Sequence, residues 1–363
     1  MAKKQYYDPT KILSHHCNYN VVLGERSNGK TYAVLYDVLK QHVMSGYTDQ
    51  GVIIRRWDTD FEGATGAGTS FAMLAHNGKG DNVIKEMTGG LCDTVRYRAG
   101  AYALGTSTSK GFTQHSILAY GMSIVRGEHY KSASLPHVKT ILFDEMCTRR
   151  QYLPNECTEF QALISTIVRD RDDVTIWMVG NTVDIHCPYF REMGLYKVKT
   201  MEQGTIDVYE CGKTRIAVEY VGKGASKKSD VYFGFDNPHT RMITSGSWET
   251  DTYPRLRQGY EPENVVFRFF VKWDGDTLQC DVVQDGSDQF IFCFIKSDPE
   301  TRHCDLVYSP DFDVSVYHRR RITVPISDTE RAIYALIRQD KVFYSSNMAG
   351  EILRNYLRWC AKI

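Results

Sequence analysis

Four short apolar runs punctuate the first part of the chain, at 20–24 (NVVLG), 51–55 (GVIIR), 138–144 (VKTILFD) and 174–180 (VTIWMVG). Each is rich in β-branched residues, stays apolar instead of alternating, and stops where glycine or polar residues take over. That pattern predicts strands buried on both faces. Apolar positions recur at helical spacing over 29–43 and 159–169, which predicts helices after the first run and before the last. Strands separated by helices imply a mainly parallel sheet covered on both sides. From 71 to 139 glycine, serine and threonine interrupt the pattern, which reads as loops and short strands inserted in the α/β core.

The pattern changes at residue 222. GKGASKKSD, followed by FDNPHTRMITSGSWETDTYPRLRQGYEPE, is polar and rich in glycine, proline and serine, so 223–262 is expected as a linker or small linking subdomain. At VVFRFFVKWDGDTLQCDVV a second pattern begins, with DGD between two strand-like runs as a hairpin signal. QFIFCFIKS and HCDLVYS read as further strands, and helical spacing over 328–339 and 347–360 closes the chain. The expected organisation is an α/β domain over 1–222, the linker, and a small α+β domain over 263–363.

Charge narrows the picture only locally. The 363 residues carry 44 basic and 44 acidic side chains, which argues against an overall basic coat for nucleic acid but not against a basic face. No two of the ten cysteines form C-x-x-C, so a structural zinc site is not expected. The opening MAKKQYYDPTK leads into no apolar stretch, no run approaches the length of a membrane span, and neither a signal peptide nor a membrane contact is expected.

The chemistry concentrates in LGERSNGKT at 23–31. Gly24, four residues, Gly29, Lys30 and Thr31 fit the P-loop spacing, and the loop lies between an expected strand and an expected helix. In such a loop the backbone of Gly24, Glu25, Arg26, Ser27, Asn28 and Gly29 cradles phosphates, the lysine pairs with them, and the hydroxyl serves magnesium. ILFDE adds a strand ending in two carboxylates. In P-loop hydrolases such a strand lies beside the phosphate loop, which suits Asp144 to the Mg2+ sphere and Glu145 to the general base. Asn181, at the tip of the fourth run, either senses the γ-phosphate or makes a turn. No N-K-x-D is present for guanine, so the expected nucleotide is ATP. Arg55 and Arg56 end the second run, and Arg169 and Arg171 follow a helix. One of these arginines could act on a neighbouring subunit's phosphate, or RDRDD could be a salt-bridged surface.

With those residues in place, the chain resembles the DNA-packaging ATPases of φ29-like bacteriophages, ring motors of the additional-strand (ASCE) P-loop NTPase class. YYDPTKILS, LGERSNGKTYA, IIRRW, KTILFDE, YLPNE, IVRDRDDV and GNTVDIHCPYF carry the likeness, in that order. The resemblance implies an ATP- and Mg2+-dependent translocase of double-stranded DNA that fills a preformed capsid. It would act as a homo-oligomeric ring, expected as a pentamer, in the host cytoplasm while transiently attached to the prohead through the portal (connector). A scaffold RNA is left open. Arg169 matches the trans-acting finger, Lys131 a basic residue toward the subunit interface, with Arg171 beside them. In larger terminases the second domain is an RNase H-like nuclease. Here its expected first strand carries Arg268 and Lys272, and the first acids, Asp274 and Asp276, fall in the turn, so a degenerate, nuclease-inactive version that holds nucleic acid is expected. Arg319, Arg320 and Arg321 are the candidate phosphate contacts, in a stretch (314–363) with nine basic and four acidic residues; an ordinary basic helix face is the plainer reading. Three other functions remain open: another P-loop DNA translocase or helicase, a nucleotide-gated structural protein, and a large terminase with active nuclease.

Overall fold

The computed structural model describes residues 7–63, 66–75, 81–109, 111–149, 152–222, 232–249, 251–298, 300–311 and 313–361. The chain divides into two units, residues 1–249 and 250–363.

The first unit is built on nine strands: β1 (Tyr19–Gly24), β2 (Gln50–Arg55), β3 (Thr94–Arg98), β4 (Ala101–Thr108), β5 (Gly111–Ser123), β6 (Val138–Asp144), β7 (Thr175–Asn181), β8 (Thr205–Cys211) and β9 (Thr214–Tyr220). They lie in the order β3-β4-β5-β2-β6-β7-β1-β9-β8. From β5 to β9 every pairing is parallel, and antiparallel strands extend the sheet at each edge. Alternate residues of the central strands feed two separate cores. Val21, Leu23, Ile141, Phe143, Ile176 and Met178 pack on one face with Phe160, Leu163 and Ile167 of the Glu156–Val168 helix. Val22, Leu142, Trp177 and Val179 pack on the other with Val34, Leu35, Val38 and Leu39 of the Lys30–Met44 helix. Burial on both faces is why these strands read as unbroken apolar runs.

β7 lies between β1 and β6, so the strand that ends in the acids is one removed from the strand that leads into the loop. The stretch expected as loops and short strands between 71 and 139 holds the three-stranded extension β3–β5, in which β5 is longer than expected at thirteen residues. The first half of β5 is exposed, so its ladder is held by backbone pairing without an apolar pattern that would announce it.

The expected linker is not one body. Residues 223–231, which hold most of GKGASKKSD, lie outside the described residues. Pro238–Ser245 is a helix, capped by Asn237 at its start and stopped by left-handed Gly246. The residues after this helix are fastened to the rest of the first unit. Thr182 and Tyr220 hydroxyls donate to the Gly246 carbonyl, each at 2.8 Å, and Trp248 packs edge-on against Phe190 with ring centroids 6.0 Å apart.

The second unit has β10 (Val265–Trp273), β11 (Asp276–Asp285), β12 (Asp288–Ile295), β13 (Leu306–Tyr308), β14 (His318–Arg319) and β15 (Val342–Tyr344), in the order β14-β13-β10-β11-β12-β15. β10, β11 and β12 form an antiparallel meander, while β13 runs parallel to β10, β14 to β13 and β15 to β12. The expected hairpin is present: Asp274 and Gly275, with φ of 53° and 83°, make the two-residue turn. Helices Asp328–Arg338 and Asn347–Cys360 supply Ile333, Ile352, Leu353 and Tyr356 to the core of this unit.

The fastening of residues 237–249 is testable. Trp248→Ala is expected to destabilise the first unit by about 3 kcal/mol in denaturant unfolding. A free linker would lose nothing.

Candidate functional site

The parallel arrangement delivers the carboxyl ends of β1, β7 and β6 to one edge of the sheet. Gly24 is in register with Asn181, and Asp144 with Val179. The chain leaves β1 through a loop with Ser27 at φ 61° and Gly29 at φ 95°, and Gly29 caps the Lys30–Met44 helix. The lysine is buried, and its ammonium is turned into its own loop. It donates to the Glu25 carbonyl at 2.6 Å, to Asn28 Oδ1 at 3.0 Å and to Asn181 Oδ1 at 3.3 Å. A buried cation needs such partners, and the charge of Lys30 also acts on Asp144.

The acids at the end of β6 meet the loop across β7. Thr31 Oγ1 donates to Asp144 Oδ1 at 3.0 Å. Burial pushes the Asp144 carboxyl above its usual range, against the pull of Arg55. Arg55, from the end of β2, bridges both acids, reaching Asp144 Oδ2 at 2.6 Å and Glu145 Oε2 at 2.9 Å. Glu145 has a left-handed backbone, φ 63°, and a side chain that remains 63% exposed. A cavity of about 630 Å³ is lined by Arg26 through Tyr32, by Arg55, Ser70 and Met73, and by Asp144, Glu145 and Asn181. Every expected member of the phosphate site from Arg26 onward therefore lines one cavity; Gly24 and Glu25 lie behind it, with Glu25 buried. Tyr32, Ser70, Met73 and the bridging role of Arg55 were not expected. The last could have been suspected, because a strand next to a carboxylate-tipped strand and ending in arginine brings opposite charges to one rim.

Behind the rim is a second charged group. Arg56, 6% exposed, donates from Nε and Nη2 to the two oxygens of Glu156, each at 2.7 Å. Tyr189 OH and the Leu153 amide donate to the same carboxylate at 3.0 Å and 2.7 Å.

The other candidates fall outside the cavity. Arg169 caps the end of the Glu156–Val168 helix with φ 52° and donates from Nη2 to the Ala133 carbonyl at 2.7 Å. Lys131 is exposed and pairs with exposed Glu128 at 2.5 Å. Arg171 braces its own chain: its guanidinium donates to the carbonyls of Leu135, Pro136, Val138, Ile167 and Val168. In the second unit Arg319 is drawn inward to buried Glu330 at 3.3 Å. Arg320 and Arg321 lie over the Trp359 ring at 5.6 Å and 5.2 Å. Arg331, Lys341 and Arg354 each pair with a carboxylate, so with Arg319 four of the nine basic residues of the expected stripe have an acidic partner; Lys362 lies outside the described residues.

Residues 109–317 match the family model of the podovirus DNA encapsidation protein (Gp16). The DNA packaging protein of Bacillus phage phi29 is 24% identical over 193 residues, 52% of this chain and 50% of that protein. The chain thus spans about half the length of the curated relatives it matches. Likeness of fold runs further. The solved bacteriophage Phi-29 viral genome packaging motor assembly aligns with 97% of this chain and 98% of its own at a TM-score of 0.56 and 17% identity. The Phi-28 gp11 DNA packaging motor aligns over 99% of both at a TM-score of 0.53 and 17% identity.

Arg55 occupies the charge space that a cation at Asp144 would enter. Arg55→Ala is expected to tighten Mn2+ binding to the nucleotide-free protein by at least about tenfold, because a unit charge within a few ångströms is removed. Titration followed by electron paramagnetic resonance reads this, and unchanged or weaker binding would contradict the bridging role.

Proposed function

Because the chain belongs to the podovirus DNA encapsidation protein (Gp16) family, we propose that it is the ATP-hydrolysing motor that drives double-stranded DNA into a preformed capsid. The observation that carries the reading is the convergence of Lys30, Thr31, Asp144, Glu145 and Asn181 on one cavity at the carboxyl edge of the sheet. β7 between β1 and β6 supports the additional-strand class of P-loop NTPases. In that class the strand bearing the acids is one removed from the strand leading into the phosphate loop.

The donor set fits magnesium. A threonine hydroxyl and a carboxylate 3.0 Å apart, both lining the cavity, are hard oxygen ligands, which suit an ion that prefers few protein ligands and phosphate oxygens. Thr31 and Asp144 would hold it, and bound there it would neutralise charge on the phosphates. Loop amides from Glu25 to Thr31 and the Lys30 ammonium orient the triphosphate. Glu145, exposed to the cavity, takes the proton of the attacking water. Asn181, bonded to Lys30, is placed to report the γ-phosphate.

Arg169 lies outside its own subunit's cavity, which supports its action on a neighbour in a homo-oligomeric ring, expected as a pentamer. Attachment to the portal of a prohead in the host cytoplasm belongs to the same reading, with Lys131 near the subunit boundary. Among the described residues no helix is long and apolar enough to cross a membrane. The second unit reads as a vestigial RNase H-like sheet. Three antiparallel strands with parallel ones beside the first support that reading. Arg268 of β10 is paired at 2.6 Å with Asp281 of β11, which fits a surface that holds nucleic acid through Arg320 and Arg321 rather than one that cuts it.

ATP turnover by the purified protein is expected to rise with double-stranded DNA and proheads. Lys30→Ala should abolish it, and Glu145→Gln should bind ATP but keep only a small residual turnover; wild-type turnover in either variant would sink its assigned role. Arg169→Ala is expected to lose roughly 10³-fold in turnover with ATP affinity kept. Mixing Arg169→Ala with Lys30→Ala subunits should restore part of the activity, because one interface then joins an intact loop to an intact arginine. No restoration would mean that Arg169 acts within its own subunit.

A further inference from the structure

Arg55 and Arg56 are neighbours in sequence but face different chemistry. Arg55 meets the side chains of both acids. Arg56 meets the backbone of the turn that follows β6: besides its two bonds to Glu156, Nη1 donates to the Glu145 carbonyl at 3.3 Å and Nη2 to the Met146 carbonyl at 3.0 Å. The guanidinium also lies over the rings of Tyr152 at 5.2 Å and Phe143 at 5.9 Å. One planar group thus joins three fixed points: the turn after β6, the first residue of the Glu156–Val168 helix, and the aromatic core beneath.

The turn needs holding. Glu145 adopts φ 63°, a region that non-glycine residues populate sparsely and that persists only where the surroundings impose it. Its side chain is largely exposed and has Arg55 as an ion-pair partner. The direction in which the carboxylate leaves the backbone is therefore set from behind, by the peptide groups on either side of Met146. Both of those carbonyls accept from Arg56.

We propose that Arg56, locked by Glu156, is a positioning residue for Glu145, fixing the left-handed turn from which the general base reaches the water that attacks the γ-phosphate. The inference rests on the ATPase reading above. Lysine cannot take its place, since a point ammonium lacks the planar fork that spans Glu156 and two carbonyls at once. Glu156 holds the fork in plane, and its own orientation is fixed by Tyr189 and Leu153.

The test compares Arg56→Lys and Glu156→Gln with the unmodified full chain, reading kcat, KM, affinity for a non-hydrolysable ATP analogue and melting temperature. Arg56→Lys is expected to lower kcat by roughly 10- to 100-fold, the scale on which a misplaced base acts, with KM, analogue affinity and melting temperature held. Glu156→Gln should shift kcat in the same direction. In a Glu145→Gln background Arg56→Lys should lower the residual turnover no further, since both changes then act on one group. Wild-type kcat in Arg56→Lys would overturn the proposal. So would a loss of kcat matched by equal losses of affinity and melting temperature, or an undiminished Arg56→Lys effect in the Glu145→Gln background. An unmodified protein that hydrolyses no ATP with DNA and proheads present would sink the ATPase reading and this inference with it. An active one with an indifferent Arg56 would sink this inference alone.

Discussion

The site depends on the parallel register of β1, β7 and β6. Parallel pairing points all three strand ends the same way, and the register fixes how far each reaches: Gly24 opposite Asn181, Asp144 opposite Val179. Asn181 therefore extends two residues past the level of Asp144, which puts its side chain against Lys30. Because side chains alternate between faces, a one-residue slip in β7 would turn Asn181 away and exchange Trp177 and Met178 between the two cores. The same packing that stabilises the sheet specifies the geometry of its rim, so fold and site are not separable here.

Charge is arranged in two tiers on that rim. In front, Lys30 and Arg55 face Asp144 and Glu145; behind, Arg56 faces Glu156. The rear pair is buried on both sides, and removing one member of such a pair leaves an uncompensated charge that costs about 3–5 kcal/mol. It is a fixed part of the frame. The front tier is different in kind. Glu145 is mostly exposed, so exchanging Arg55 for another cation costs its carboxylate little. Asp144 loses more, since burial already disfavours its charge. A rigid rear tier under an exchangeable front one is what a site needs if bound ligands are to be swapped without loss of shape.

Much of this was legible in the sequence, for identifiable reasons. LGERSNGKT declares itself because glycine positions, lysine and threonine are set by phosphate geometry over eight consecutive residues. β6 and β7 are visible because burial on both faces forces unbroken apolar runs. What stayed hidden depends on residues far apart in the chain. Nothing local distinguishes Arg56 from Arg55, and its partner lies 100 positions away. The docking of Trp248 was masked by a composition that suits a linker equally well. The first half of β5 was masked because its residues are exposed and offer no apolar face to reveal it. Arg171 and Arg319 read as free cations because sequence shows charge but not the carbonyls and the buried carboxylate that absorb it.

Glu156 and Arg169 are the two ends of one element. The helix Glu156–Val168 has thirteen residues, about 20 Å at the usual rise, and its inner face is buried along the length by Phe160, Leu163 and Ile167. A helix so packed moves as a unit or not at all. Its first residue is tied through Arg56 to the turn that carries Glu145, and its last gives way to Arg169, which Arg171 steadies from the carbonyls of 135–138. In a ring where Arg169 serves the next subunit, the base of one site and the arginine of its neighbour would share a single rigid body. Any change in one subunit that displaced the Glu145 turn would then be passed through Arg56 and Glu156 to the arginine offered to the next.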